Sequence, residues 1–215
     1  MSPSIRLLPQ EETLPSTTRI PMHRALNWRP KSPAASNGKP AVSVFVTQKA
    51  FVRFCAHASS DLENEVGGWL LGKKRLDKVS GEQFIIIDTI LPARHTQHGS
   101  AFLTFTQDSQ VELHRLVQDN YPEKDLLGWF HTHPRMGIFL SSYDTFLHDN
   151  FFPEMWQVAL VIEPFSRSGG FFIRQEDGWL DPRLYYGFNE LVNEKKRSVV
   201  HWQNVTSRRL PKNRS

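Results

Sequence analysis

Residues 128–134 read Gly128-Trp129-Phe130-His131-Thr132-His133-Pro134, and the run Ser141-Ser142-Tyr143-Asp144 follows shortly after. Side chains on a strand alternate between its two faces, so His131 and His133 are expected to point to the same side. Two imidazoles placed in this way can bind one metal ion, and Asp144 can add a third ligand. Structural zinc sites have four protein ligands, whereas catalytic ones leave a position for water. The pattern therefore predicts a catalytic metal site.

Each part of this pattern also has an explanation without a metal. Histidines on a strand can be satisfied by backbone carbonyl groups, and Ser-x-x-Asp at residues 141–144 resembles a capping box that closes the first turn of a helix. A capping acid can still face a neighbouring strand, so the two interpretations of Asp144 are compatible. The loop over residues 134–140 is short enough to fold Asp144 back over the histidines, which favours the metal site.

A further acidic residue, Glu65, precedes the glycine pair Gly67-Gly68. An isolated glutamate before a strand is usually solvated, but paired glycines permit close backbone approach and can turn the carboxylate inward. A zinc-bound water has a pKa of about 7, and a nearby carboxylate can take its proton and pass it to a leaving amine. Glu65 is therefore a candidate general base.

Strand and helix patterns alternate irregularly along the chain, with few units at regular βαβ spacing. This arrangement indicates an α+β fold rather than a doubly wound sheet. Strands are predicted around the glycine pair and the histidines. Helices are predicted over residues 47–59, 107–120, 142–151 and 185–197.

The two ends of the chain differ in composition from its middle. Residues 1–41 contain seven prolines, which predicts a proline-rich, basic, disordered arm. Residues 198–215 are predicted to form a basic C-terminal tail, so the folded domain is expected over residues 42–197. Because no candidate ligand lies in the arm, we expect it to be dispensable for chemistry. Basic ends of this kind are usually solvated, and nucleic acid is not a predicted partner.

The cysteine content and the lack of long apolar runs indicate the cellular compartment. A single cysteine, Cys55, excludes an internal disulfide and fits a reducing cytoplasm. No apolar run approaches the length of a membrane span, and the first residues lack the apolar block of a secretory signal. A cytoplasmic location without membrane attachment is therefore expected. Cys55 has apolar neighbours and is expected in the core rather than as a nucleophile with His57.

Taken together, these residues resemble a known family. The elements Glu65-x-x-Gly68-x-Leu70-x-Gly72, His131-x-His133-Pro134 and Ser141-x-x-Asp144 are similar to the motif of the JAMM (MPN+/JAB) zinc metalloproteases. The resemblance extends over about residues 42–174. The sequence around the histidines looks most like the deubiquitinating branch, and its compactness resembles stand-alone or prokaryotic members.

The resemblance implies a role for each matching residue. His131, His133 and Asp144 would bind one zinc ion, Glu65 would be the general base, and Ser141 would hydrogen-bond the developing oxyanion. The implied fold is the MPN/JAB (cytidine-deaminase-like) fold, a curved mixed sheet flanked by helices. The implied activity is hydrolysis of the isopeptide or peptide bond after the C-terminal glycine of ubiquitin or a ubiquitin-like protein.

Two segments depart from the family pattern. Residues 93–101 correspond to an insertion that family members use to clamp the substrate tail, and here the segment contains His95 and His98. These histidines are either an accessory metal pair or simply solvated. A later insertion is almost absent, because residues 163–170 lead directly into the next strand. Specificity for a particular ubiquitin linkage therefore does not follow from the resemblance.

Two other functions are compatible with such a sequence. One is a non-catalytic MPN scaffold, although inactive relatives usually lose ligands that this chain retains. The other is a metal hydrolase that acts on a sulfur-carrier protein or a small amide with the same site.

Overall fold

The computed structural model describes residues 15–31, 39–93, 107–192 and 197–208. These residues form one mixed β-sheet and three α-helices. The strands are β1 (Ser16–Thr18), β2 (Ala25–Pro30), β3 (Ser43–Thr47), β4 (Gly67–Asp77), β5 (Gln83–Pro92), β6 (Asp125–Thr132), β7 (Val158–Glu163), β8 (Ser168–Ile173), β9 (Phe188–Leu191) and β10 (Val205–Arg208). The helices are α1 (Gln48–Ala58), α2 (Gln107–Asn120) and α3 (Ser142–Phe151).

The strands follow the order β10-β2-β9-β3-β5-β4-β6-β7-β8, with β1 parallel to part of β4. Strand β3 is parallel to β5 and β9, and β6 is parallel to β7, whereas the other neighbours are antiparallel. Phe171 of β8 exchanges two backbone hydrogen bonds with Tyr186, which lies just before β9. The sheet is thus curved and nearly closed, and the predicted fold class is confirmed.

Alternating residues of the central strands are buried on the two opposite faces of the sheet. Leu70 of β4 and Phe130 of β6 pack in one core with α1, whose buried residues include Phe51 and Phe54. The residues before them, Trp69 and Trp129, belong to a second core with Leu147 of α3 and Leu113 of α2. Because the period of a strand is two, His131 shares the α3 face with Trp129, whereas Thr132 shares the α1 face with Phe130.

The predictions of a disordered arm and of a basic tail outside the folded domain are wrong for part of each segment. Within residues 1–41, strand β2 pairs with β9 and β10, and β10 lies within the predicted tail. The sheet therefore includes residues on both sides of the predicted domain 42–197. Composition missed these strands because their stabilising pairs lie far away in sequence, as in the pairing of Trp28 with Phe188 and Ser207.

The predicted helix over residues 185–197 is also wrong, because residues 188–191 form strand β9. All four residues of β9 are buried between β2 and β3, so the segment lacks the alternation that marks a half-buried strand. The carboxylate of Glu190 accepts hydrogen bonds from the Trp28 indole at 3.0 Å and the Gln48 amide at 2.8 Å. These bonds give the fully buried Glu190 carboxylate the hydrogen-bond partners that it needs.

The remaining predicted helices are confirmed as α1, α2 and α3 with similar bounds. Within the described residues no helix is both long and apolar enough to cross a membrane. The predicted loop with His95 and His98 lies outside the residues that the structure describes, as do the first 14 residues.

Candidate metal centre

Strand β6 brings the two histidines together. His131 is the penultimate residue of the strand, and His133 follows its end. The N–H of His133 donates to the Ile162 carbonyl of β7 at 2.9 Å, which extends the strand geometry by one residue. The Nε2 atoms of the two imidazoles lie 2.9 Å apart, and both rings are buried.

Helix α3 contributes Asp144 from its first turn. Ser141 caps this helix, and its hydroxyl accepts from the Asp144 N–H at 3.1 Å, while the Asp144 carboxylate accepts from the Ser141 N–H at 2.7 Å. The same carboxylate reaches the histidines, with Oδ1 3.5 Å from His131 Nε2 and Oδ2 3.8 Å from His133 Nε2. The capping box and the approach to the histidines therefore occur together.

The donor atoms fit a divalent cation. One potential ligand atom from each of His131, His133 and Asp144 lies within 4.8 Å of the others. Two imidazole nitrogens at 2.9 Å need a hydrogen between them, because their lone pairs would otherwise repel each other. A cation bound by both nitrogens would take the place of that hydrogen. Nitrogen from two histidines and oxygen from one carboxylate form a ligand set that is typical of catalytic zinc.

Electrostatics favours the forms of His133 and Asp144 that bind metal. Burial, together with repulsion from His131, lowers the pKa of His133 to about 4, so its imidazole is neutral near pH 7. Burial alone would raise the pKa of Asp144, but attraction to His131 and hydrogen bonds from His131 and Ser141 outweigh it. The pKa of Asp144 is therefore below its usual range, and the carboxylate is ionised. A neutral imidazole and an ionised carboxylate are the forms of these two side chains that metals bind.

Glu65 lies beside this group. Its side chain is buried, and Oε1 is 4.0 Å from His133 Nε2. Gly67, two residues later, pairs with His131 across the β4–β6 ladder, so Glu65 and His131 share one face. The structure thus brings together the five residues that the sequence singled out, namely Glu65, His131, His133, Ser141 and Asp144.

His131 has supporting contacts that the sequence did not predict. The Trp129 indole stacks on the His131 ring, with centroids 4.6 Å apart and planes at 9°. Trp129 Nε1–H donates to His148 Nδ1 of α3 at 3.2 Å, and both side chains are buried. The spacing of Trp129 and His131 on alternate positions was the available signal.

Glu163, which the sequence did not predict as part of the site, holds the loop after His133. Its carboxylate accepts from the N–H groups of Arg135 at 3.2 Å, Phe165 at 2.9 Å and Ser166 at 2.7 Å. Arg135 has a positive φ of 62°, which these contacts help to hold. The signal in the sequence was an acid at the end of an apolar strand.

A concave space of about 610 Å³ opens beside Ser141. Its apolar walls come from residues 138–140, and Arg183 adds a positive charge. Phe139 also packs against His133, with ring centroids 4.7 Å apart. A substrate segment could therefore lie next to the candidate centre.

Cys55 and His57 do not form a second reactive site. Burial raises the pKa of the Cys55 thiol to about 12, so it is not a thiolate at neutral pH. His57 Nε2 instead lies 3.2 Å from the carbonyl oxygen of Gly67. These two residues therefore have structural roles.

The region that contains these residues is similar to known proteins. Residues 40–154 match the sequence model of the family described as JAB1/Mov34/MPN/PAD-1 ubiquitin protease. The COP9 signalosome complex subunit 5 of Dictyostelium discoideum is 30% identical over 124 residues, which are 56% of this chain and 36% of that protein. The subunit of the same name from Candida albicans is 29% identical over 106 residues, which are 46% of this chain and 16% of that protein.

A solved structure is similar in fold. The solution structure of protein DSY2949 from Desulfitobacterium hafniense aligns with a TM-score of 0.50 and 20% sequence identity. The alignment covers 72% of this chain and 99% of that one. The chain therefore spans nearly all of this structure but well under half of the two signalosome subunits.

Proposed function

The chain belongs to the JAB1/Mov34/MPN/PAD-1 ubiquitin protease family, and we propose that it is a zinc-dependent isopeptidase or peptidase. The proposed reaction hydrolyses the bond after the C-terminal glycine of ubiquitin or a ubiquitin-like modifier. The observation that supports it most is the convergence of His131, His133 and Asp144 with the Glu65 carboxylate at 4.0 Å from His133.

In this proposal His131, His133 and Asp144 hold one zinc ion. When bound, zinc acts as a Lewis acid that polarises a carbonyl group and makes water more acidic. The ring of Trp129 and the capping hydrogen bonds of Ser141 keep two of these ligands in place before any ion arrives.

Glu65 moves the proton. In the proposed reaction its carboxylate accepts a proton from the attacking water and returns it to the nitrogen of the leaving amine. Burial beside His133 keeps bulk water away from this oxygen, so the proton stays within the site.

Ser141 stabilises negative charge on the substrate carbonyl oxygen. In the structure its hydroxyl donates to Asp144 Oδ2 at 2.7 Å, so the hydrogen must turn away from Asp144 to reach an oxyanion. The Ser141 N–H donates to the Asp144 carboxylate, and the Asp144 N–H donates to Ser141 Oγ, so these two capping bonds hold the oxygen in place while the hydrogen turns. A donor fixed in this way contributes a few kcal/mol to such steps.

Two other functions share this fold. A non-catalytic scaffold would need no general base, and a hydrolase of a sulfur-carrier protein or a small amide would use the same centre on another substrate. Retention of both Glu65 and the three ligands favours an enzyme over a scaffold.

The test combines metal analysis with a cleavage assay. The purified full chain should contain about one zinc ion per molecule and should cleave a ubiquitin-like protein fused through Gly-Gly to a reporter peptide. Removal of zinc with a chelator should abolish cleavage, and added zinc should restore it. An active preparation without zinc, or a zinc-loaded protein that cleaves no Gly-Gly fusion or amide, would contradict the proposal.

A further inference from the structure

Thr132 lies between the two histidines and contacts the backbone next to Glu65. Its hydroxyl Oγ1 accepts a hydrogen bond from the N–H of Val66 at 2.9 Å. Its own N–H donates to the carbonyl of Val66, also at 2.9 Å. One buried residue therefore binds both polar backbone groups of the residue that follows Glu65.

The position of Val66 explains why a side chain is needed there. Strand β4 begins at Gly67, which pairs with His131, so Val66 lies one residue beyond the ladder. At such an end a backbone N–H loses its regular carbonyl acceptor and needs another partner. The Thr132 hydroxyl supplies that acceptor, and Thr132 itself is fully buried.

The two faces of the sheet separate this contact from the chemistry. Thr132 lies on the α1 face with Phe130, whereas His131 and Glu65 lie on the opposite, α3 face. The hydroxyl therefore acts on Glu65 through the Val66 backbone from behind the strand. It is placed to affect the general base without contacting the metal ligands' donor atoms.

Neighbouring contacts show how the rest of this segment is held. The N–H groups of Glu63 and Asn64 donate to the Asp61 carboxylate at 2.9 Å, which shapes the turn locally. Gly67 is held by Ala93, whose N–H donates to its carbonyl at 2.9 Å. Between these two contacts, Thr132 connects the backbone to strand β6, which contains His131 and ends directly before His133.

We propose that Thr132 is a positioning residue, whose hydroxyl fixes the Val66 backbone so that the Glu65 carboxylate stays beside His133. This inference rests on the proposed function, in which Glu65 is the general base. Displacement of such a group by about 1 Å can reduce turnover on the order of 100-fold. The effect should fall on kcat, because Thr132 contacts no substrate.

The experiment compares Thr132→Val, which keeps the shape and removes the hydroxyl, with Thr132→Ser, which keeps the hydroxyl. Thr132→Ala is a second variant without the hydroxyl, and Thr89→Val is a matched control on the buried strand β5. Hydrogen exchange of the Val66 amide is measured by NMR on the full-length, metal-free proteins. Zinc affinity, kcat and KM on a Gly-Gly fusion are measured on the zinc-loaded proteins.

We expect Thr132→Val and Thr132→Ala to speed exchange of the Val66 amide roughly tenfold and to lower kcat about 10- to 100-fold. Zinc affinity and KM should change little, and Thr132→Ser and Thr89→Val should resemble the wild type. Wild-type exchange and kcat in both hydroxyl-free variants would overturn the proposal, as would equal losses in Thr132→Ser. If the wild type cleaves no substrate, the proposed function fails, while the exchange data still decide whether the hydroxyl anchors Val66.

Discussion

At the residue scale, Asp144 combines two tasks that the sequence left open. It closes the first turn of α3 through the Ser141 backbone and also faces both histidines at 3.5 and 3.8 Å. Its position is therefore set by local helix geometry before any metal binds. The sequence was compatible with a helix cap and with a metal ligand at Asp144, because both have the same Ser-x-x-Asp spacing. The loop that folds α3 over β6 allows Asp144 to do both.

Glu65 should be separable from the metal ligands by substitution. Glu65→Gln keeps the size of the side chain but cannot take up a proton, so we expect zinc content to stay near that of the wild type while turnover falls about 100- to 10,000-fold. His131→Ala should lose zinc as well as activity. Metal analysis and single-turnover assays on the same preparations check both variants, and near-wild-type turnover in Glu65→Gln would show that another group is the base.

Ser141 is expected to affect both activity and stability. Ser141→Ala removes an N-cap and a proposed oxyanion donor, so we expect a loss of about 1 kcal/mol in the free energy of unfolding and about 100- to 1,000-fold in kcat. Thr47→Ala is the matched control, because Thr47 caps α1 by accepting from Ala50 N–H at 3.3 Å. Urea unfolding and kinetics on both variants separate the two effects. Equal kcat losses in the two variants would remove the catalytic role of Ser141.

At the element scale, the contact between β6 and α3 depends on a neutral histidine. Burial and the nearby Arg174 guanidinium lower the pKa of His148 to about 3, against about 6.5 in an unfolded chain. Its neutral form accepts the Trp129 hydrogen bond. The stability that it contributes is fully present above about pH 6.5 and is lost as the pH falls towards about 3, because the unfolded chain binds the proton more tightly.

This linkage makes the free energy of unfolding depend measurably on pH. We expect His148 to contribute about 1 kcal/mol per pH unit to the fall in the free energy of unfolding between about pH 6.5 and pH 4. Urea unfolding of the metal-free His148→Gln variant should show a slope that is shallower by this amount. The exposed His23 provides the control variant His23→Gln, whose slope should match the wild type. Identical slopes in all three proteins would exclude this role for His148.

Elements with local signals were the ones that could be predicted. Helix α1 has a Thr cap and α3 a capping box, and histidines occupy alternate positions at and just after the end of strand β6, so each element is specified within a few residues. Strands β2, β9 and β10 depend instead on partners more than 100 residues away, as in the pair Trp28 and Phe188. A fully buried strand such as β9 also lacks alternation, which made it resemble a helix. The site could be predicted because its residue types and spacing carry the chemistry.

At the scale of the whole molecule, the N-terminal region is part of the fold. Strand β2 lies between β9 and β10, and Trp28 donates to the buried Glu190 at 3.0 Å. The expectation that residues 1–41 are dispensable therefore needs correction. We expect deletion of residues 1–31 to lower the midpoint of thermal unfolding strongly or abolish cooperative unfolding, because β9 and β10 lose their shared neighbour.

A shorter deletion is the matched comparison. Removal of residues 1–14 leaves β1 and β2 intact and takes away no candidate ligand, so the unfolding midpoint and zinc content should stay close to those of the full chain. Thermal unfolding followed by circular dichroism compares the two deletions. An unchanged midpoint after deletion of residues 1–31 would mean that β2 contributes little to the sheet.

Mass spectrometry of the cleavage products tests the proposed isopeptidase activity directly. An extended tail beside a sheet can be held by backbone hydrogen bonds, and only glycine allows the closest backbone approach near the scissile bond. The zinc-loaded chain should cut a ubiquitin-like conjugate after Gly-Gly and should fail when the penultimate glycine is replaced by a bulky residue. Equal cleavage of the bulky variant, or cutting at unrelated peptide bonds, would contradict the isopeptidase assignment.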